Sequence, residues 1–199
     1  MKHIKQLKEL ERYGSKKRLA AEDWKEPWQT LIATALSART RDDTTIPIAD
    51  NLFSKYNSLK KLSRAKTSDV EGIIRKVNYH KTKSRHIIDC AKMLIKYYKG
   101  EVPLEFDKLV ELPGVGRKTA NVFLAVMGKD TIGIDTHLSY TSQKLGWTKN
   151  TKPEKIEKDL QKLFPREYWG RLNYIVVRFG QTHTGRKEKD RLLDEIKKI

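Results

Sequence analysis

One cysteine, Cys90, is all the thiol chemistry that this 199-residue chain contains. That excludes an internal disulfide and any Cys-rich zinc or iron–sulfur site within the chain. Cys90 stands among Ile87, Ala91, Met93 and Leu94, the surroundings of a packed thiol rather than a reactive one. No apolar run reaches the roughly eighteen residues that a membrane span needs. The opening MKHIKQLKELERYGSKKRLA has no continuous apolar core, so no secretory signal and an intracellular protein are expected. Gly/Ser-rich linkers, low-complexity tracts and tandem repeats are missing too, and no pair of alternating strands is evident.

Acidic residues are scarce. Against 42 Lys+Arg there are 25 Asp+Glu, a formal charge of +17. An excess of this size suits a polyanion, because each lysine or arginine placed at a phosphate releases condensed counterions. A solvated, lysine-rich surface of the kind found in some thermophile proteins has the same composition. With 38% hydrophobic and 34% charged residues the chain is polar, yet long enough to bury a core as one large domain or two small lobes.

What is present reads as helices from end to end. Ile4, Leu7 and Leu10 recur at helical spacing. Pro27 precedes Trp28, Leu31, Ile32, Ala35 and Leu36, an i, i+3, i+4, i+7, i+8 stripe with proline where a helix tolerates it. Ala49, Leu52, Phe53 and Tyr56 mark another helix. Ser68-Asp69-Val70-Glu71 has a capping-box pattern ahead of Ile73 and Ile74. A long stripe from Ile87 to Tyr98 stops at Gly100, and one from Ile156 to Phe164 is halted by Pro165. Tyr174, Ile175, Val176, Val177 and Phe179 are dense enough for a buried helix, although a short strand also fits the valines. The terminal KEKDRLLDEIKKI is amphipathic and basic. The expected fold class is all-α.

The chemistry concentrates in ELPGVGRKTANVFLAVMGKDTIGIDTHLS, residues 111–139. Phe106, Leu109 and Val110 close one helix, Leu112-Pro113-Gly114-Val115-Gly116 is a tight turn, and Arg117 opens the next helix. Both glycines can adopt positive φ and leave no side chain above the turn. Their N–H groups, those of the following first turn and the positive end of that helix can face a phosphate oxygen, with Arg117 adding charge. This is a helix-hairpin-helix pattern, a sequence-independent grip on a DNA backbone; an ordinary connection between helices is the plain alternative. Lys118, just inside the second helix, would be an amine nucleophile if partial burial and the helix end lowered its pKa. Asp135 stands where a further helix begins. It can cap that helix, act as a catalytic carboxylate that stabilises positive charge or moves protons, or do both.

LPGVGRKTAN followed by IDTHL resembles the endonuclease III branch of the helix-hairpin-helix (HhH-GPD) DNA glycosylase superfamily. LIATALSARTRD (31–42) resembles that family's early helix, VNYHKTKSRHI (77–87) its G-x-Y-x-x-K-A segment, and LNYIVVRFGQ (172–181) its late helix. The resemblance implies two helical lobes with a DNA-binding cleft between them. Residues 1–22 and 133–199 would form one lobe, and 23–132, with the hairpin, the other. It implies a damaged base flipped out of duplex DNA. Lys118 would attack the sugar, Asp135 would assist, and a Schiff base would lead to β-elimination. The implied activity is a base-excision repair glycosylase with abasic-site lyase activity on oxidised pyrimidines such as thymine glycol. A glycosylase for 8-oxoguanine or mismatched thymine or uracil, and a non-catalytic DNA-binding module, are the competing possibilities.

The implied DNA contacts are Gly114, Val115, Gly116, Arg117 and Thr119 at the hairpin, and Arg39, Tyr79, His80 and Lys81 elsewhere. The expected partner is duplex DNA carrying a damaged base or abasic site, met by a monomer with no membrane association. The chain departs from the family in three places. Family members typically end with four cysteines around a [4Fe–4S] cluster. Here Thr184 falls near the first, so no cluster and no cofactor are expected, beyond a monovalent cation that the hairpin could take. Arg39 stands where glutamine is frequent, at a position implied to probe the gap left by the flipped base; an exposed arginine at a helix end is the alternative. Asn78 replaces a glycine, and Tyr79 and His80 fall where the family places its wedging residues, although Tyr79 could instead belong to the core.

Overall fold

A computed structural model describes residues 1–199, and it is helical throughout, with twelve α-helices, one 3₁₀ turn and no strand. The chain divides into two compact units: a central unit, Arg18–Met127, and a terminal unit that joins Met1–Lys17 to Gly128–Ile199. The divisions lie a few residues before the expected 22/23 and 132/133. Trp24 packs on the central core and donates from Nε1 to the Ala20 carbonyl at 2.7 Å, which carries residues 20–24 with the central unit. Ile132 is wholly buried in the terminal core, which carries its segment the other way.

In the central unit, α2 (Pro27–Ser37), α3 (Asp42–Lys55), α6 (His80–Tyr98) and α8 (Arg117–Val126) surround one core, with the short α4 (Leu59–Ser63), α5 (Thr67–Ile73) and α7 (Phe106–Val110) at its margins. Leu31, Leu36, Leu52, Ala91, Leu94 and Phe123 are fully buried. Each large side chain of that set contributes roughly 1.5–3 kcal/mol through loss of apolar surface to water. Pro27 is the first residue of α2, as its spacing predicts. The expected Ser68 capping box does not form: α5 begins at Thr67, two residues too early for Ser68 to cap it, and the Ser68 hydroxyl faces Asp69 Oδ1 instead. Cys90 is buried in the core, and burial pushes its thiol up to about 12, so it is inert packing.

The terminal unit packs α1 (Lys2–Tyr13), α9 (Thr136–Leu145), α10 (Pro153–Leu163), α11 (Trp169–Thr182) and α12 (Arg186–Lys198) around Leu10, Leu138, Leu160, Val176, Phe179 and Leu193. The valine-rich segment at 174–179 is helix, not strand: α11 buries Leu172, Ile175, Val176 and Phe179. A buried amide joins the two ends of the chain. Gln6 donates to the Ile196 and Lys197 carbonyls at 3.3 and 3.4 Å and accepts from Trp147 Nε1 at 2.8 Å, so both ends of its amide are satisfied. His183 is a junction residue: its ring lies 5.0 Å from Phe179, and its nitrogens meet Glu188 Oε1 and the Tyr13 carbonyl.

Candidate active site

The hairpin lies between α7 and α8. Val115 N donates to the Leu112 carbonyl at 3.0 Å, and Leu112 and Val115 drop into the core, which folds the turn tightly. Gly114 takes φ +80°, and a Cβ there would stand 2.9 Å from His86 Cβ, so both conformation and space demand glycine. Gly116 differs from expectation. It has φ −93° and ψ 175°, ordinary extended backbone, and its value lies in emptiness, since nothing stands within 4 Å of where a Cβ would be. As N-cap of α8 it supplies no side-chain cap, and the first turn of α8 holds no acidic residue. The positive end of the helix is therefore left for an anion. Arg117 lies over the Phe106 ring at 4.9 Å. Val115 and Thr119 are 6% and 5% exposed, so neither side chain is placed to reach DNA, and with the Val115 N–H held by Leu112 the backbone contact falls to the first-turn N–H groups of α8, Thr119's among them.

Lys118, partly exposed, is the second residue of α8. In the same unit Arg39, Tyr79, Lys83, His86 and Gly114 line an apolar pocket of about 210 Å³. Arg39 and Tyr79 both adopt left-handed backbone, φ 59° and 61°, which is uncommon for side chains of this size. They meet: Arg39 Nη1 donates to the Tyr79 hydroxyl at 2.8 Å. Tyr79 is 59% exposed and is no part of the core. His80 faces Glu71 at 3.7 Å, and Lys81 is exposed. Two further residues brace this cluster: Asn78, which the sequence marked only as a departure from glycine, and Lys83, which it did not single out. Asn78 donates from its side chain to the Arg39 carbonyl and from its backbone to Thr40 Oγ1 at 3.1 Å. Lys83 Nζ donates to the Leu36 and Ala38 carbonyls at 2.7 and 2.6 Å.

Asp135 belongs to the terminal unit. It is the N-cap of α9, and its Oδ1 accepts from Leu138 N at 2.8 Å. Oδ2 takes no part in that cap. The segment leading to it is fixed by burial of Ile132 and Ile134 and by Asn173 Nδ2, which donates to the Gly133 carbonyl at 2.7 Å. Gly180 of α11 lies against the ring of His137. A Cβ on Gly180 would fall 2.1 Å from Nδ1 and 2.9 Å from Cγ and Cε1. Gly180→Ala is therefore expected to destabilise the protein by about 1–3 kcal/mol, although alanine normally favours a helix over glycine by about 1 kcal/mol. Denaturant unfolding measures the loss, and His137→Ala in the same chain should recover most of it.

No three His, Cys, Asp or Glu side chains converge on a metal-binding geometry. A [4Fe–4S] cluster needs several thiolates, and Cys90 is alone, buried and protonated, so the residues present do not fit one.

The hairpin, Lys118 and Asp135 all lie within a stretch of the chain that matches a known family. The model of the HhH-GPD superfamily of base excision DNA repair proteins matches residues 32–166. Endonuclease III of Thermotoga maritima is 39% identical over 157 residues, which cover 78% of this chain and 74% of that one. Endonuclease III of Bacillus subtilis is 34% identical over 161 residues, 79% and 73% of the two chains. A solved endonuclease III, trapped as a covalent intermediate with DNA in an estranged-adenine complex, superposes with a TM-score of 0.84 at 32% identity over 93% of this chain and 88% of that one. The fold and the hairpin thus define a helical DNA glycosylase of base excision repair. Within that class the chain belongs to the endonuclease III branch of the HhH-GPD superfamily.

Proposed function

We propose that this glycosylase removes oxidised pyrimidines such as thymine glycol from duplex DNA and then cleaves the strand as an abasic-site lyase, with Lys118 as nucleophile. Lys118 Nζ attacks C1′ of the flipped nucleotide, and the bond from C1′ to the base breaks. Ring opening gives a protonated Schiff base. Loss of a C2′ proton then expels the 3′ phosphate, which is β-elimination. The carboxylate of Asp135 stabilises positive charge on the sugar as the base departs. The observation that carries this reading is the place of Lys118, one residue inside a helix whose start is uncapped, free of acidic side chains and preceded by the hairpin. The covalent intermediate of the similar endonuclease III supports a bond between enzyme and DNA. Arg39 and Tyr79 are proposed to fill the gap left by the flipped base, since an arginine fork and an aromatic ring can replace its hydrogen bonds and its stacking.

A panel of duplexes with one lesion each tests the substrate class. Thymine glycol is expected to be released, and excision confined to 8-oxoguanine or to mismatched thymine would overturn the pyrimidine assignment. The charge of +17 carries a second expectation. If about five phosphates are engaged, log Kd for undamaged duplex should change with log salt at a slope of roughly 4.5. A flat dependence would remove the backbone grip.

A further inference from the structure

Lys83 holds its half-buried ammonium between two helices, with carbonyl groups as its hydrogen-bond partners. These are the carbonyls of Leu36 and Ala38, at the end of α2. A cation is favourable at a helix C-terminus, where carbonyls point outward unpaired. The carbonyl of Ala38 immediately precedes Arg39, whose backbone is held at φ 59°. From the other side Asn78 takes the Arg39 carbonyl and the Thr40 hydroxyl. The turn at 38–40 is therefore gripped by the 78–83 segment on both flanks of one strained residue, and the Arg39 side chain leaves it to reach Tyr79, itself at φ 61°.

Keeping a cation there is costly. Burial, with a smaller contribution from the neighbouring charge of Lys118, lowers the pKa of Lys83 to about 8. Arg39 and His86, which line the same pocket, add no negative charge to relieve it. A fold under selection for stability alone gains little from such a residue, and perturbed lysines concentrate at working sites. Two left-handed side chains in contact cost further free energy, on the order of 1–3 kcal/mol each, and persist only where the surroundings over-determine them.

We infer that Lys83 is a positioning residue for damage recognition: by holding the Leu36 and Ala38 carbonyls it fixes the Arg39 turn, so that Arg39 and Tyr79 enter DNA as one preformed unit. This rests on the proposed role of Arg39 in the flipped-base gap. Lys83 itself touches no DNA in this scheme.

A double-mutant cycle tests it. The quantity measured is the ratio of Kd for an undamaged duplex to Kd for the same duplex with one tetrahydrofuran abasic analogue. Lys83→Met and Arg39→Ala should each lower that ratio about tenfold, and the double variant should lower it no further, because Lys83 acts through Arg39. Lys83→Arg, which keeps the charge and the donors, should restore most of it; that variant also serves if Lys83→Met does not fold. A general loss of structure would weaken both duplexes alike and leave the ratio unchanged, which would overturn the inference. Additive losses in the double variant would overturn it too, by giving Lys83 its own contact. If Arg39→Ala leaves the ratio intact, the gap role of Arg39 is wrong and Lys83 falls with it. A ratio lowered by Arg39→Ala but not by Lys83→Met overturns the inference alone.

Discussion

Replacing Lys118 with alanine is expected to abolish the adduct that borohydride traps between this protein and a duplex carrying one thymine glycol. Borohydride reduces a Schiff base to a stable amine, so the adduct reports a carbon–nitrogen bond to the enzyme directly. Base release should fall by about 10³-fold or more, at least about 4 kcal/mol of transition-state stabilisation at 1.36 kcal/mol per decade. Thermal stability should hardly move, because Lys118 is partly exposed and surface substitutions stay within about 0.5 kcal/mol. A trapped adduct that survives in Lys118→Ala would reassign the nucleophile. Lys83 is then the next amine to replace, since burial brings its pKa to about 8 and so leaves an appreciable neutral fraction near neutral pH. An adduct with abasic DNA but none with thymine glycol would keep the lyase and reopen the lesion.

Periodicity made the helices legible because each buries one face against a single core. The stripe from Trp28 to Leu36 is α2, and the proline before it is its first residue. Local signals failed where a local rule competed with a longer-range one. Ser68 has the right partner three positions on, yet α5 starts at Thr67. Gly116 has the freedom to turn left-handed, but the turn needs that only at Gly114, where His86 closes in. The hairpin, Lys118 and Asp135 were legible because all lie within one continuous stretch, 111–139. Lys83 was not, since its partners are 45 and 47 residues away and carbonyl groups leave no trace in a sequence. Asn173 was hidden for the same reason: its partner is the Gly133 backbone, 40 residues earlier. Asn78 appeared as a mere departure from glycine, and its use emerges only once the Arg39 carbonyl stands beside it.

Asp135 carries two roles that a single substitution can separate. Its Oδ1 caps α9, and asparagine caps a helix about as well as aspartate. Asp135→Asn should therefore hold stability within about 0.5 kcal/mol while removing the negative charge that the departing base leaves the sugar to need. Base release is expected to fall by about 10²–10⁴-fold, the range for a positioned acid–base or charge-stabilising group. Asp135→Ala removes the cap as well and should cost about 0.5–2 kcal/mol in unfolding free energy beside the same kinetic loss. Measuring both variants on one lesion, by single-turnover release and by denaturant unfolding, distinguishes the roles. Full activity in Asp135→Asn would reduce Asp135 to a cap. Lost activity with intact stability would tie the chemistry to the carboxylate itself, with the cap, Asn173 and the burial of Ile132 and Ile134 serving to hold it still.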